Sequence, residues 1–334
     1  MMEIYKIYAI VLSYNARENL KRLISALLCQ TYSLSEIIVV DNASSDGTVQ
    51  MLKEEFPQIT LLANLSNLGV GAGYTKGMKY AFEKGADWIW LLDGDSFPDK
   101  TALEELISTF EKIKYVYSQI GILASSPINP LTNRRYPPLI WNNRLLPVSE
   151  NLILSGKPLL VDSVISSGSL IKRSVIEQIG FPREDFFIDF VDHEYNLRAR
   201  RLGFQILYVP QSIIYHEVGK TVIRRSLSRF GKKWAYGDHL PWRLYYIARN
   251  ELYTYLYEFK DLRAVFYFFI IKLTKEMAAI LLYNYPDKKE RIIHILMGIR
   301  DGLKGKLGKV VAPEEEKKRN GKYADRQSQF LPKE

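Results

Sequence analysis

The first half of this 334-residue chain alternates short runs of β-branched residues with stretches of helical periodicity. Such alternation is typical of a largely parallel sheet whose strands are joined by helices. Strands are predicted at residues 7–13, 36–41, 59–63 and 87–92. Helices are predicted between them at residues 16–29, 46–55 and 70–84. Four strands and three helices in this order predict a Rossmann-like α/β half.

The whole chain is expected to divide into three parts. Residues 1–217 would form the α/β domain, and within them the Pro-, Asn- and Arg-rich residues 125–156 predict a long loop over its open edge. Residues 218–312 predict helices from Gly219 onward, and residues 313–334 predict a polar, disordered tail. The remaining elements are expected as a strand near 161, helices from 174 and over 191–202, two short strands ending at 216, and helices over 242–257, 262–283 and 288–303.

Charge is distributed unevenly between these parts. Residues 1–217 carry a formal net charge of about −3 and the remainder about +12, for a total of +9. A basic, aromatic region suits anionic lipid, polyphosphate or nucleic acid, or it is simply a solvated helical face. The most apolar stretch, residues 264–285, is interrupted by charged residues, which predicts an interfacial or buried helix rather than a membrane span.

The amino terminus and the single cysteine bear on the compartment. The first residues lack a basic region followed by an apolar stretch and a cleavage site, so we expect no signal peptide. One cysteine excludes an internal disulfide and suits a reducing environment, and its place in an amphipathic pattern predicts that Cys29 is buried. We therefore expect a cytoplasmic protein.

The strongest local motif is an apolar strand that ends in acids, WIWLLDGDS. In a parallel α/β sheet the carboxyl ends of the strands face the ligand crevice, so Asp93 and Asp95 would arrive there together. Hard divalent cations take carboxylate and phosphate oxygens jointly, which suits a metal held against a diphosphate. A DGD turn after a strand is also ordinary loop chemistry, so the motif alone leaves both interpretations open.

A second acid lies at the same predicted edge. The second strand ends in VVDNASSDGT, where Asp41 is placed to accept hydrogen bonds from a ribose or a base. The first strand is followed by SYNAREN rather than GxGxxG, which argues against a nicotinamide enzyme. The same loop is neither Gly-rich nor basic, which disfavours a nucleotidyltransferase.

Acids cluster once more in FFIDFVDHEYNLRARRLG, at the start of a predicted helix. The helix dipole favours acids there, but an attacking hydroxyl also needs a carboxylate base, which Asp189, Asp192 or Glu194 would supply. His216 follows an apolar strand, ILYVPQSIIYH. A lone histidine is more often a core or surface residue than a ligand, but here it would bring a nitrogen to the acid-rich site.

Taken in order, these motifs resemble the inverting GT-A glycosyltransferases of family 2, in the branch that holds rhamnosyltransferases and galactofuranosyltransferases. The resemblance covers residues 5–217 and also includes NLGVGAGYTKGM and SSGSLI. It implies a GT-A fold, which is a Rossmann-like, mainly parallel sheet flanked by helices, here with a C-terminal helical extension.

The resemblance also implies roles for individual residues. Asp192 would be the catalytic base, and Asp93, Asp95 and His216 would hold Mg²⁺ or Mn²⁺. The pocket for the nucleotide sugar would include Ser13, Tyr14, Asp41, Asn67, Gly69, Lys76, Asp93, Ser167, Gly168 and Ser169. Two departures stand out: Gly94 replaces a third acid, and Val191 replaces an acid before the base. The second departure leaves Asp189 or Glu194 as partners of the base.

The implied activity is inverting transfer of a rhamnose- or galactofuranose-like sugar, or another hexose, from a UDP- or dTDP-linked donor. The implied acceptor is a hydroxyl of a lipid-linked or polysaccharide glycan in cell-surface glycan synthesis. The basic C-terminal helices would dock on an anionic membrane as a peripheral protein at the cytoplasmic face, with Arg243, Arg249 and Asn250 meeting acceptor phosphates or forming surface charges. A homo-oligomer is left open, and nucleic acid is not expected as a partner. The alternative is a nucleic-acid- or membrane-binding module with a degenerate GT-A domain.

Overall fold

The computed structural model describes residues 4–216, 220–225, 233–282, 285 and 287–311, with backbone alone at 220–225 and 233–238. The strands are β1 Ile7–Ser13, β2 Glu36–Asp41, β3 Thr60–Ala63, β4 Trp88–Asp93, β5 Ser96–Pro98, β6 Ile120–Ile128, β7 Leu139–Trp141, β8 Leu145–Pro147, β9 Leu159–Val161, β10 Ser169–Lys172, β11 Gln205–His216, β12 Lys220–Arg225 and β13 Lys233–Asp238. The α-helices are α1 Arg17–Leu28, α2 Thr48–Glu55, α3 Gly69–Glu83, α4 Ala102–Ile113, α5 Glu150–Leu154, α6 Arg173–Ile179, α7 Val191–Arg201, α8 Pro241–Tyr253, α9 Leu262–Tyr267, α10 Thr274–Leu282 and α11 Lys288–Leu303.

A mixed sheet organises the first 216 residues. Its strand order is β3-β2-β1-β4-β10-β6-β11-β5, and β9 pairs with the same strand, β11, as β5 does. β1 to β4 run parallel to one another where they pair, and β6 and β11 are also parallel. β10 is antiparallel to both of its neighbours, β4 and β6. The first residues of β10 therefore lie beside the last residues of β4.

Two hydrophobic cores cover the two faces of this sheet. Alternate residues of a strand point to opposite faces, so Ile10 of β1 packs with α3, α6 and α7, whereas Val11 packs with α1, α2 and α4. Trp88 and Trp90 of β4 are fully buried in the second core. Helices on both faces hold the sheet rigid and leave its carboxyl edge free to carry polar side chains.

The C-terminal helices form a third core. α8 packs against α11, and Leu252, Tyr255, Phe268 and Ile299 are buried together in this cluster. The end of α8 continues into a π-helical turn, Thr254–Glu258, and another, Phe268–Leu273, joins α9 to α10. Phe190, which directly precedes α7, is buried in the same core. The C-terminal helices are thus packed onto the sheet domain through the residues just before α7.

Most predicted elements are present, with corrections in the less periodic parts. Residues 125–156 are not one long loop, because their first residues belong to β6 and the hairpin β7–β8 and α5 follow. One long strand with a bulge, β11, replaces the two short strands expected before residue 216. Residues 220–225 and 233–238 pair as two antiparallel strands, β12 and β13, rather than forming helix. The predicted tail, residues 313–334, lies outside the described residues.

The prediction that Cys29 is buried is wrong. α1 ends at Leu28, and its buried positions are Leu20, Leu23, Ile24 and Leu27. Cys29 lies just past the helix, off this apolar face, and its thiol is exposed. An amphipathic pattern does not report where a helix ends, so it assigned one residue too many to the buried face.

A candidate active site at the carboxyl edge of the sheet

Three potential metal ligands meet where β4 and β11 end. Asp93 is the last residue of β4, Asp95 follows two residues later, and His216 ends β11. One ligand atom from each of them lies within 4.8 Å of the others. His216 Nε2 is 3.6 Å from Asp93 Oδ2, and its Nδ1 is 3.3 Å from Asp95 Oδ1. The structure therefore brings together the three residues that the sequence predicts as ligands, although they lie in two distant motifs.

Two serine hydroxyl groups lie within hydrogen-bond distance of each other and of the acid–histidine cluster. Ser96 Oγ lies 3.1 Å from His216 Nδ1 and 2.5 Å from Ser167 Oγ. Ser167 Oγ also accepts a hydrogen bond of 3.1 Å from the backbone N–H of Asp93. Ser96 and Ser167 are both buried. This contact exists because the antiparallel β10 begins beside the end of β4, so the SSGS segment is delivered to the acids.

The electrostatics of the cluster are those of crowded acids beside an imidazole. Burial and the neighbouring Asp95 carboxylate raise the pKa of Asp93, although His216 and a hydrogen bond from Tyr74 oppose the increase. Burial lowers the pKa of His216, but hydrogen bonding to Asp95 and the charge of Asp93 outweigh it and raise that pKa above its usual value. Burial and Asp93 raise the pKa of Tyr74 well above its usual range, so its hydroxyl stays a donor, 2.7 Å from Asp93 Oδ1.

The donor set and its spacing suit a divalent cation. Octahedral Mg²⁺ or Mn²⁺ binds oxygen at about 2.1 Å, which separates its ligands by roughly 3 to 4 Å. Taking one ligand atom from each residue, the three atoms lie within 4.8 Å of one another, and a single ion would use only one of the two His216 nitrogens that face the acids. Two carboxylates and one imidazole, partly open to solvent at Asp95, leave positions for diphosphate oxygens.

Beside this cluster, the ends of β1 and β2 form a second polar pocket. Ser13 and Asp41 are opposite each other in the parallel register and both are buried. The Asp41 carboxylate accepts hydrogen bonds from the N–H and hydroxyl of Ser44, at 2.9 and 2.5 Å. Among the described residues, no group pairs with the Ser13 hydroxyl. Tyr14 follows Ser13 and is half-buried.

The start of α3 adds the third wall of the pocket. Gly69 has a φ of +85°, and a Cβ at this position would lie 2.2 Å from the Phe187 carbonyl oxygen. Asn67 accepts the Gly69 N–H at 2.9 Å, which fixes the turn into the helix. Lys76, by contrast, donates to the Ala63 carbonyl at 3.2 Å and to Asn64. These two bonds hold the ammonium group of Lys76 at the end of β3. Its contact with a phosphate stays a prediction.

The acids around α7 separate into different environments. Asp192, 21% exposed, accepts the N–H of His193 and acts electrostatically on Asp93 and Tyr74, raising the pKa of both. Asp189 is paired with Arg243. Glu194 is buried and pairs with Arg198 at 2.8 Å. Each of the two partners that the sequence left open for the base therefore has a cation of its own.

The SSGS segment, which is predicted to line a sugar pocket, lies at the start of β10, beside the end of β4. Gly168 has a φ of +87°, and its N–H donates to the Leu91 carbonyl of β4. Ser169 is buried and donates to the Ile165 carbonyl, so its hydroxyl shapes the turn. Of these residues, Ser167 is the one that contacts the acid–histidine cluster through its side chain.

Sequence reasoning missed several polar residues of the site. Tyr74 looks like a core position on the amphipathic α3, and Ser96 looks like a turn residue after DGD. Ser163 Oγ lies 2.7 Å from His193 Nδ1, next to the candidate base, and Asn196 Nδ2 donates to the Val164 carbonyl. No periodic signal marks these positions, because their contacts join elements far apart in the chain.

The role expected of Arg243, Arg249 and Asn250 on α8 is wrong for the last two. Arg249 and Asn250 are fully buried, so they meet no acceptor phosphate and are not surface charges. Their side chains bind the backbone just before α7. The aromatic pattern of α8 is compatible with either a surface helix or a buried helix. The packing of α11 against α8 is what buries these two side chains.

Comparison with known proteins gives one family and several relatives. The family model described as "Glycosyl transferase family 2" matches residues 8–180. The galactofuranosyltransferase GlfT1 of Mycobacterium tuberculosis is 28% identical over 255 residues, which cover 74% of this chain and 81% of that protein. The dTDP-rhamnosyl transferase RfbF of Shigella flexneri is 28% identical over 247 residues, covering 73% and 78%.

Solved structures share the fold at lower identity. A crystal structure of S. aureus TarS 1–349 matches with a TM-score of 0.56 and 14% identity, covering 89% of this chain and 80% of that one. The same protein in complex with UDP-GlcNAc matches with a TM-score of 0.53 and 15% identity, covering 90% and 83%. At this level of identity the likeness concerns the fold.

Proposed function

Since the chain belongs to glycosyl transferase family 2, in the branch that includes galactofuranosyl- and rhamnosyltransferases, we propose that it transfers a hexose from a nucleoside-diphosphate sugar to a glycan hydroxyl. The transfer would invert the anomeric carbon, require a divalent cation and use a UDP- or dTDP-linked sugar resembling galactofuranose or rhamnose. The acceptor would be a lipid-linked or polysaccharide glycan of the cell surface. The chain has the GT-A fold and is a glycosyltransferase, as its motifs predict.

One observation carries this proposal. Asp93, Asp95 and His216 meet at the carboxyl edge of the sheet, and Asp192 is close enough to act electrostatically on Asp93. A cation held by the three ligands would neutralise charge on the leaving diphosphate. The carboxylate of Asp192 would take the proton of the acceptor hydroxyl as that oxygen attacks. The site thus has separate groups for the leaving group and for the nucleophile.

The pocket at β1 and β2 supports a nucleoside as the other part of the donor. The buried Ser13 hydroxyl and the Asp41 carboxylate lie side by side at the strand ends. A buried hydroxyl is costly unless it finds a partner, and a ribose or base would supply one. Asn67 and Gly69 would shape the wall of this pocket, and Ser167, Gly168 and Ser169 would bound the sugar beyond the metal.

The experiment that tests the proposal separates binding from transfer. Purified protein is heated with UDP, dTDP or GDP and their sugars, each with Mn²⁺ or with EDTA, and one nucleoside diphosphate is expected to stabilise it only when metal is present. The matching donor is then incubated with alkyl glycosides of several sugars, and product is detected by mass spectrometry. Stabilisation by none of the nucleotides, together with salt-sensitive binding to RNA, would favour a binding module with a degenerate domain.

Membrane docking is the finer part of the proposal that concerns location. None of the described helices is long and apolar enough to cross a membrane. Large apolar side chains are nevertheless exposed along the C-terminal helices: Leu262, Phe266, Ile270, Leu281, Leu282, Ile293 and Leu296. The net charge of about +12 beyond residue 217 would draw this region to anionic lipid. A peripheral position at the cytoplasmic face would bring a lipid-linked acceptor to the site.

Point variants test the docking without removing α8. Phe266→Glu and Leu282→Glu are expected to abolish flotation with vesicles containing phosphatidylglycerol. Leu65→Glu is the matched control, because Leu65 is fully exposed on the sheet domain and should leave flotation unchanged. Equal flotation of all three variants would contradict docking through these helices.

A further inference from the structure

The residues just before α7 have an unusual backbone. Phe187, Asp189 and Phe190 have φ angles of 63°, 61° and 66°, in the left-handed region. Side chains other than glycine adopt this conformation only where their surroundings fix it. The first hydrogen bond of α7 runs from the Glu194 N–H to the Phe190 carbonyl at 3.0 Å. The left-handed residues therefore set where α7 begins and in which direction its first turn, including Asp192, points.

The side-chain amide of Asn250 lies within hydrogen-bond distance of three backbone carbonyl oxygens of this segment. Asn250 Nδ2 lies 3.0 Å from the oxygen of Phe186, 2.9 Å from that of Ile188 and 2.8 Å from that of Asp189. Asn250 is fully buried. In a helix the carbonyls lie parallel to the axis, and in an extended strand they alternate between its two edges, so neither backbone would direct three of them at one point. Their convergence on one donor shows that the left-handed geometry and the Asn250 side chain fit each other.

A buried arginine orients this amide and holds the start of the segment. Arg249 Nε donates to Asn250 Oδ1 at 2.8 Å, which turns the Asn250 amino group toward the carbonyls. Arg249 Nη2 donates to the Phe186 oxygen at 3.0 Å, and Nη1 donates to the Gly308 oxygen at 2.6 Å. Its guanidinium also lies over the rings of Tyr245 and Tyr246.

The cost of burying Arg249 suggests that it does more than fill space. Its side chain is fully buried, and the partners named above are all neutral. A charge in such a place loses its hydration, and an apolar residue of similar volume often packs as well or better. An apolar residue would lack the planar guanidinium group. That group donates to the Asn250 amide, the Phe186 carbonyl and the Gly308 carbonyl at the same time.

A third side chain of α8 acts on the charge of the segment. Arg243 pairs with the Asp189 carboxylate through two hydrogen bonds, one of them 3.1 Å long from Nε. Asp189 precedes Asp192 by three residues. Without the arginine, the Asp189 carboxylate, which is 10% exposed, would lose its partner, and this residue of the segment would no longer be tied to α8.

We propose that Arg243, Arg249 and Asn250 are positioning residues for the catalytic base. They hold residues 186–190 so that α7 presents Asp192 to the acid–histidine cluster. This inference rests on the proposed function of Asp192. It assigns to the C-terminal region a part in the chemical step, in addition to any contact with acceptor or membrane. The donor pocket, which is built on β1, β2 and α3, does not depend on these three side chains for its ligands.

The test compares Asn250→Ala with Tyr245→Phe. Tyr245 is on the same helix and equally buried, but its hydroxyl bonds Asp301 instead of the segment, at 2.9 Å. Asn250→Ala is expected to speed hydrogen exchange in peptides covering residues 186–194 and to lower kcat about 10- to 100-fold, the cost of a displaced catalytic group. Donor KM and the stabilisation by nucleoside diphosphate with Mn²⁺ should stay within about twofold. Tyr245→Phe should leave exchange and kcat unchanged.

A second variant, at the partly exposed Arg243, tests the inference if Asn250→Ala does not fold. Arg243→Gln removes the ion pair to Asp189 at a position where the side chain is 29% exposed, and a fall in kcat of about 10-fold at constant donor KM is expected. An unchanged kcat in either folded variant, or an equal fall in Tyr245→Phe, would overturn the inference. Wild-type protein that transfers no sugar would instead refute the proposed function. Exchange over residues 186–194 needs no substrate, and unaltered exchange in Asn250→Ala would refute the anchoring itself.

Discussion

The two halves of the candidate active site are built in different ways. Asp93 and His216 stand on strand ends, whose relative positions are fixed by the backbone hydrogen bonds of the sheet. Asp192 stands on the first turn of a helix, after residues with left-handed backbone. Those residues are held by side chains of α8, with Asn250 bonding Asp189 across 61 residues of sequence.

The two halves should therefore be sensitive to different substitutions. A strand end moves only if the sheet moves, so the metal half is sensitive mainly to changes in its own ligands. The base half depends on a few buried hydrogen bonds from another part of the chain, so distant substitutions reach it. We therefore expect donor binding and the chemical step to be separable by mutation.

The largest effect should come from the base itself. Asp192→Asn removes the proton acceptor but keeps the side-chain shape, so kcat should fall about 1000-fold. Stabilisation by nucleoside diphosphate with Mn²⁺ should remain, because the metal half is untouched. Steady-state kinetics and thermal shift measure the two quantities, with Asp99→Asn as a control outside the cluster. Undiminished turnover would remove Asp192 from the mechanism.

A change in the metal half should give the opposite pattern. Asp95→Asn removes one charged ligand, so the Mn²⁺-dependent stabilisation by nucleoside diphosphate should disappear and transfer should fall about 100-fold. Hydrogen exchange over residues 186–194 should match the wild type. Nucleotide binding that survives both Asp95→Asn and EDTA would show that the acid–histidine cluster is not a metal site.

The contact between the start of α3 and the base half should be sensitive to a single methyl group. Gly69 at the start of α3 touches the Phe187 backbone, and Gly69→Ala should lower the free energy of unfolding by about 2–4 kcal/mol. Gly47 is the matched control, with a φ of +87° but only a flexible arginine side chain 3.9 Å away. Gly47→Ala should cost only about 1 kcal/mol, the backbone part of the penalty. Equal losses in urea denaturation would mean that the contact with Phe187 contributes nothing.

The smallest effect is expected on the free energy of unfolding, from a substitution of Asp301 on α11, the helix that packs against α8. Burial acts to raise the pKa of Asp301, but hydrogen bonds from Arg300 and Tyr245 outweigh it and lower that pKa below its usual value. A lowered pKa in the folded state gives stability that is present at neutral pH and is lost as the pH falls through it. Asp301→Asn should cost about 1 kcal/mol at pH 7 and less at pH 3, measured by urea denaturation. A deficit that grows toward pH 3 would contradict this sign.

The fold of the first half could be predicted from the sequence, and so could the meeting of Asp93, Asp95 and His216, whereas their roles stay predictions. β1, β2 and β4 carry apolar runs that end in polar residues, and such strands place their ends at one edge of a sheet. The less periodic parts were predicted less well. Residues 125–156 contain strands whose pairing partners lie elsewhere in the chain, and their Pro- and Asn-rich composition conceals this.

The parallel strands β1 to β4, the acids at their carboxyl edge and, through the order of motifs, the family follow from the amino-acid sequence. These features are local, because each depends on the periodicity of one segment and on how strands end. The contacts of Ser96 and Ser167 near His216, and the burial of Arg249 and Asn250 against the backbone before α7, follow only from the way distant segments pack together. A buried arginine and an exposed one look alike in an amphipathic helix, and the difference arises from packing between distant segments.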